Sequence, residues 1–217
     1  MSATPPTKVS HPLFARIYQR FAAAAMAHGE DVYKRELLDS VCGRVIEVGA
    51  GHGLNFGFYS SSVTEVVAVE PEPILRREAE RAAGQAPVKV TVIDAVADTL
   101  PFDDASFDVA IASLVLCSVP DQAVALAEIS RVLSPGGELR FYEHVVSEDQ
   151  CLARAQHLAD PVWRRLAGGC HLDRDTAAAI ETAGLAMESL RRFSFSISII
   201  DRLASPQIIG VAHRRSS

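Results

Sequence analysis

Only four cysteines stand in the 217 residues, Cys42, Cys117, Cys151 and Cys170, and no two of them are spaced Cys-x-x-Cys. The scatter offers neither a disulfide framework nor a preformed zinc motif, and it fits reduced thiols. Long apolar runs are also missing: nothing approaches the ~20 residues that a membrane-crossing helix needs. The opening Met1-Ser2-Ala3-Thr4-Pro5-Pro6 lacks the charged-then-apolar order of a secretory leader. No stable membrane insertion and a cytoplasmic address are therefore expected. Positive charge is short as well, with 21 Lys and Arg against 27 Asp and Glu and a formal net charge of -6. A surface that tracks phosphates needs a clustered basic excess, so no nucleic-acid partner is expected. Aromatic residues make up 6% of the chain while hydrophobic residues make up 48%, a balance suited to a globule of helices and sheet.

What is present is a rhythm. The length suits a single domain over 1–217, divided into a flexible tail over 1–10, a helical cap over 11–40 and an α/β core over 41–217. Phe14, Ile17, Tyr18 and Phe21 recur at helical spacing and predict a leading helix that ends near Gly29. Strand-like runs then follow at Arg44 to Gly49, Val66 to Glu70, Val88 to Asp94, Phe107 to Ser113 and Glu138 to His144. Helical patterns lie between them at Pro73 to Ala83 and Gln122 to Leu133, the second closed by Ser134-Pro135-Gly136-Gly137. Alternation of this kind implies a mostly parallel sheet covered on both faces, which accounts for runs as apolar as Val66-Val67-Ala68-Val69. After a helix at Thr176 to Ala183, the runs Met187 to Ile199 and Gln207 to Ala212 add an antiparallel C-terminal hairpin, for seven strands in all.

The densest chemical signal is Val45-Ile46-Glu47-Val48-Gly49-Ala50-Gly51-His52-Gly53, an apolar strand running into closely spaced glycines. Such a turn lets backbone amides approach a ligand, and it suits a dinucleotide as well as S-adenosylmethionine. Glu47 separates the two: a buried carboxylate pairs with the cationic methionine end of S-adenosylmethionine and repels a pyrophosphate. Glu70, closing the second strand, has two oxygens suited to a pair of ribose hydroxyls. A dinucleotide-dependent oxidoreductase stays as an alternative.

Taken in order, VIEVGAGHG, AVEPEP, LPFDDASFDV, LCSVPD and RVLSPGGELRFYEHV resemble the class I S-adenosylmethionine-dependent methyltransferases over residues 40 to 146. The resemblance implies a Rossmann-like seven-stranded methyltransferase sheet with helices on both faces. It also implies S-adenosyl-L-methionine as cofactor and S-adenosyl-L-homocysteine as product. The cofactor would lie against Glu47, Gly49, Gly51, Gly53, Asn55, Glu70, Pro71, the Val96-Ala97 loop and Ser113-Leu114. Val96 departs from the family pattern, in which an Asp or Ser reaches the adenine amino group, and Asp94 or Asp98 can substitute.

The segments LVLCSV, EHV, DPVW and GCHLDR resemble, within that class, the methyltransferase-like alkyl-thiol S-methyltransferases, as far as about Gly184. That group carries an apolar N-terminal anchor not read in this chain, which is expected to be a soluble bacterial-type relative. A small-molecule thiol is then the expected acceptor, with O- or C-methylation of a phenol or quinone as the alternative. The pocket for it should draw on Phe14, Tyr18, Phe21, Cys117, Trp163, His171 and Arg174. His144 and Glu143 are the candidates for base or acceptor orienter, and strand alternation sends only one of the two into the cleft. Cys170-His171 beside Asp173 lacks the spacing of a metal motif, so no metal is expected.

Overall fold

The computed structural model describes residues 12–198 and 200–215; the expected flexible tail over 1–10 lies outside the described residues. The leading helix is α1 (Pro12–Ala27). The side chain of Phe14 lies outside the described residues. The chain turns at His28-Gly29 into α2 (Asp31–Leu38), a second helix that the apolar spacing did not reveal.

The core alternates strands and helices as expected. Its elements are β1 (Gly43–Val48), β2 (Val63–Val69), α3 (Pro73–Ala83), β3 (Val90–Ile93), β4 (Phe107–Ser113), α4 (Gln122–Val132) and β5 (Leu133–His144). Then come α5 (Gln150–Leu166), α6 (Thr176–Thr182), β6 (Leu185–Ser194) and β7 (Pro206–Arg214), with short 3-10 turns at Leu54–Phe58 and Ile200–Ala204. The strands form one sheet in the order β3-β2-β1-β4-β5-β7-β6. The first five run parallel, and β7 inserts antiparallel between β5 and β6.

Side chains alternate across this sheet and give it two cores. Ile46, Val48, Val67, Val69, Ala110, Ala112, Leu139 and Phe141 pack with Leu126 and Ile129 of α4 and Ile180 of α6. Val45, Val66, Ala68, Val109, Ile111 and Tyr142 pack on the other face with Leu37 and Leu38 of α2 and Ala79 of α3. Burial on both faces is what makes the central strands continuously apolar. Asp121 starts α4 by accepting the amides of Ala123 and Val124, and Glu72 starts α3 by accepting those of Ile74 and Leu75. Each side chain satisfies backbone donors that the first turn of a helix leaves without partners.

Several boundaries differ from expectation, and a further helix is new. Strand β6 ends at Ser194, short of the expected run to 199. Ser134-Pro135-Gly136-Gly137 falls inside the extent of β5, where the register against β4 passes from Phe107↔Leu133 to Val109↔Glu138. The expected turn is therefore an irregular entry to the strand. Helix α5 is an addition to the expected elements: its buried residues are the polar Gln156 and Asp160, and it runs through Pro161 without a break. The positions that α5 buries most deeply are polar, while Leu152, Ala159 and Trp163 beside them are only half-buried, so its apolar side is weakly marked in the sequence.

Candidate active site

The parallel strands end on one edge, where the site is built. After β1 the amides of Gly49 and Ala50 donate to Val69 O, and Gly49 and Gly51 take φ of +67° and +57°. A Cβ on Gly49 would stand 2.2 Å from Val115 Cγ2, so both the dihedral and the space demand glycine there. Gly51 donates its amide to Glu70 Oε2 at 2.8 Å, while Glu70 Oε1 accepts the amide of Glu72 at 2.9 Å. Burial raises the Glu70 carboxyl to about 7 against the pull of those two amides. Each oxygen keeps a second lone pair for a hydroxyl donor. Pro71 contributes its carbonyl to Arg76 at 2.9 Å and leads the chain into α3.

Glu47 points to the face opposite α4, and its two oxygens accept Asn55 Nδ2 at 2.9 Å and Tyr59 Oη at 2.7 Å. Burial raises it to about 7, although both hydrogen bonds oppose the shift. The carboxylate thus ties the 3-10 turn that follows the glycines to the end of β1, and Asn55 faces it instead of standing free. Asn55 Oδ1 in turn lies 3.4 Å from Lys34 Nζ, and Lys34 lies 3.9 Å from the buried Glu30. This polar chain was missed in the sequence, although Glu30 and Lys34 stand four apart as an intrahelical ion pair does.

Beyond β3, Val96 forms an isolated antiparallel bridge to Thr99, which closes the Val96-Ala97 loop. Of the two acids offered for the adenine amino group, Asp94 is paired with Arg76 at 3.0 Å. Asp98 keeps a solvent-shielded Oδ1 without a hydrogen-bond partner among the described residues, and burial raises its pKa.

Beyond Ser113 at the end of β4, Leu114 takes a positive φ of 57°, a strained conformation for a branched side chain. Its amide donates to Tyr142 O at 2.7 Å. The turn is held from below by Glu143, whose carboxylate accepts the amides of Val115, Leu116 and Cys117 at 3.0, 2.9 and 3.1 Å. Glu143 is fully buried, and burial raises its pKa although those amides pull it down. The catalytic role considered for Glu143 does not match this placement, because the side chain turns to the α4 face and its oxygens hold backbone. His171 and Arg174 also differ from expectation. His171 Nδ1 faces Asp160 Oδ2 at 3.3 Å, and its amide binds Cys117 O at 2.8 Å. Arg174 caps Leu116 O at 2.8 Å. Both brace the β4–α4 loop and do not line the cavity beside it.

That cavity, of about 350 Å³, opens at the ends of β4 and β5. Tyr18, Phe21 and Trp163 form its aromatic walls, and Leu114, Cys117 and His144 its floor, joined by Cys170 from the loop after α5. Alternation along β5 thus brings His144 into the cleft in place of Glu143. Desolvation lowers the His144 imidazole, but the neighbouring Cys117 sulfur and the Glu143 and Glu30 carboxylates outweigh it, and the net shift is upward. Cys117 is pushed well above the ordinary thiol value, first by its contact with Cys170 and then by burial. Tyr18 is likewise raised by burial, and its ring meets His52 edge-on at 5.6 Å. Trp163 has its indole N–H without a partner among the described residues. Two groups of side chains could hold a cation: Cys117 with His144 and Cys170, and Asp160 with His171 and Asp173. In the second, Asp160 already accepts the Leu172 amide and Asp173 already meets His157.

The strand order, the glycine turn and an acid after β2 together define a nucleoside-binding α/β site of the methyltransferase kind. A family model described as a methyltransferase domain matches residues 46–141. The human thiol S-methyltransferase TMT1A is 34% identical over 174 residues, covering 77% of this chain and 69% of its own. The rat thiol S-methyltransferase TMT1B is 34% identical over 143 residues, 64% of this chain and 58% of its own length, so the chain spans little more than half of that relative. A solved geranyl diphosphate C-methyltransferase from Streptomyces coelicolor A3(2), in complex with S-adenosyl-L-homocysteine, superposes with a TM-score of 0.68 at 15% identity, covering 85% of this chain and 77% of its own. The chain belongs to the S-adenosylmethionine-dependent methyltransferases. Membership sets aside the dinucleotide-dependent oxidoreductase. The Glu70 carboxylate and the glycine cradle fit that cofactor's hydroxyls and close backbone approach. No helix among the described residues is long and apolar enough to cross a membrane.

Proposed function

We propose that the protein transfers a methyl group to the sulfur of a small-molecule thiol. One observation carries the reading: the cavity at the ends of β4 and β5 is small, largely apolar and walled by aromatic rings, with sulfur and imidazole groups at its base. Likeness to relatives named thiol S-methyltransferases supports it. S-adenosylmethionine supplies an electrophilic methyl on a sulfonium, and displacement at that carbon must be in line. The chain therefore has to align the acceptor, exclude water and favour its nucleophilic form.

A thiol of ordinary acidity, with a pKa near ~8.5, already supplies a few per cent of thiolate at neutral pH. It asks for far less base catalysis than a phenol or an amine. Glu143 is occupied with the loop amides, so His144 is the titratable group on the cavity floor best sited to hold and orient the acceptor sulfur. The mostly apolar lining suits such a role, since a thiolate less exposed to water is less masked by solvation. Asp98, with its unpartnered oxygen, is the group we assign to the adenine amino end. Cysteines that are not paired in disulfides fit a cytoplasmic address.

The second reading, a phenol or quinone acceptor, draws on the aromatic walls formed by Tyr18 and Trp163. Supplying matched alkyl thiols, aryl thiols, phenols and quinols with S-adenosylmethionine and identifying methylated products by mass distinguishes the two. Thioether formation from thiols supports the proposal, and turnover confined to oxygen or carbon acceptors overturns it.

A further inference from the structure

Three side chains from distant parts of the chain converge beneath the cavity. Cys117 comes from the loop after β4, His144 from the end of β5 and Cys170 from the loop after α5. Their ligand atoms form a nearly regular triangle: the two sulfurs are 3.7 Å apart, and His144 Nδ1 lies 3.8 Å from Cys117 Sγ and 3.6 Å from Cys170 Sγ. Around a tetrahedral zinc ion with Zn–S of about 2.3 Å and Zn–N of about 2.0 Å, sulfurs stand about 3.8 Å apart and sulfur and nitrogen about 3.5 Å apart. The triangle has the dimensions of one face of that tetrahedron.

The sequence concealed this arrangement. Metal motifs are recognised by ligands close together in the chain, whereas here 27 residues separate Cys117 from His144 and 26 separate His144 from Cys170. Next to Cys170 in the chain, His171 turns away to Asp160. Both cysteines are buried, whereas Cys42 and Cys151 are exposed. All three ligands also line the cavity.

We infer that Cys117, His144 and Cys170 form a Cys2His site for Zn2+ or a cation of similar softness, with the fourth coordination position open to the cavity. Three protein ligands and one open position are the pattern of catalytic zinc, as distinct from closed structural zinc. Soft thiolate and imidazole donors select such ions over Mg2+ or Ca2+. What occupies the fourth position rests on the thiol reading above: a substrate thiol would bind there as thiolate, its proton leaving to solvent, because a coordinated thiol is deprotonated outright. The acceptor sulfur would then form its bond to the methyl carbon as that carbon's bond to the sulfonium sulfur breaks, leaving a neutral thioether and S-adenosylhomocysteine. A thioether is a weaker ligand than a thiolate, which favours release.

The test is metal content and Co2+ substitution on the intact protein purified without chelator. One equivalent of zinc, and a Co2+ form with thiolate-to-metal charge-transfer bands typical of tetrahedral sites, are expected. Cys170→Ser and His144→Ala should lose the equivalent and the bands while still gaining thermal stability on adding S-adenosylhomocysteine. Cys42→Ser and Cys151→Ser should keep both. Sub-stoichiometric metal in a protein that binds S-adenosylhomocysteine normally overturns the site, as does an intramolecular Cys117–Cys170 disulfide in the freshly purified protein. Adding an aliphatic thiol to the Co2+ form should change its d–d spectrum. A metal site that binds while no thiol is methylated upholds the site and removes the thiol reading. Full thiol turnover by metal-free protein does the reverse.

Discussion

Glu143 holds the backbone amide of Cys117 at 3.1 Å from one face of β5, while its chain neighbour His144 meets the Cys117 sulfur at 3.8 Å from the other. Adjacent residues of one strand thus grip the same cysteine by main chain and by side chain. The pairing divides the work: the carboxylate fixes a strained turn, and the imidazole faces the cavity.

Glu143→Gln is expected to destabilise the protein, because an amide in place of the carboxylate has one good acceptor for three amides that now share two oxygens. Charge-assisted hydrogen bonds contribute about 1.5–3 kcal/mol, so a loss of about 2 kcal/mol is expected in denaturant unfolding. Turnover should fall without a change in the shape of its pH profile. A profile that loses an ionisation would return Glu143 to a catalytic role.

His144→Ala should lower turnover on thiols by 10²-fold or more, on the scale of a lost acid–base or orienting group (about 10²–10⁴-fold), while cofactor affinity, read by calorimetry, stays within about twofold. Wild-type turnover would remove His144 from the acceptor site.

Glu70 is expected to link cofactor binding to pH. Its folded pKa of about 7 lies above the ordinary carboxylate value because of burial, so the apo protein gains stability from its protonated form at low pH and loses that gain as pH rises through about 7. Ribose hydroxyls bound at Glu70 would donate to its ionised form, so S-adenosylhomocysteine should bind more weakly as pH falls below about 7, approaching tenfold per unit. Glu70→Gln should flatten that slope and weaken binding at pH 8 by roughly 10- to 150-fold, equivalent to about 1.5–3 kcal/mol. Unchanged slope and affinity would take Glu70 out of the site. Glu47 is also raised to about 7, which makes the variant comparison necessary.

Asp98→Ala tests the adenine assignment through opposite effects on two observables. Removing a shielded acceptor that has no partner among the described residues should leave the apo melting temperature unchanged or higher. The rise in melting temperature on adding S-adenosylhomocysteine should shrink, following the linkage between affinity and stability. An undiminished rise would place Asp98 away from the cofactor.

Legibility in the sequence followed the range of the signal. The β1 strand, the glycine turn, Glu70 and helix α3 were readable because each is encoded within a few residues: an apolar run, small residues, an acid and a proline-led helix start. The seven strands and their closing hairpin were readable from alternation. Helix α5 was not, since the two positions it buries most deeply are the polar Gln156 and Asp160 and a proline, Pro161, stands inside it. The cavity proposed for the acceptor was partly readable. His144 and Cys117 stood at strand ends, but the meeting of Cys117 with Cys170 depends on loop closure across 53 residues. His171 and Arg174 could not be told from cavity residues by type alone, because only the fold shows that they brace the loop from outside.

The central claim is tested most directly by a single-pot competition in which the enzyme meets methyl-labelled S-adenosylmethionine with equimolar alkyl thiol, aryl thiol, phenol and quinol, and the labelled products are resolved by mass. The account expects labelled thioethers to dominate and to disappear in His144→Ala. Labelled ethers or ring-methylated products in their place, with thiols untouched, would contradict it.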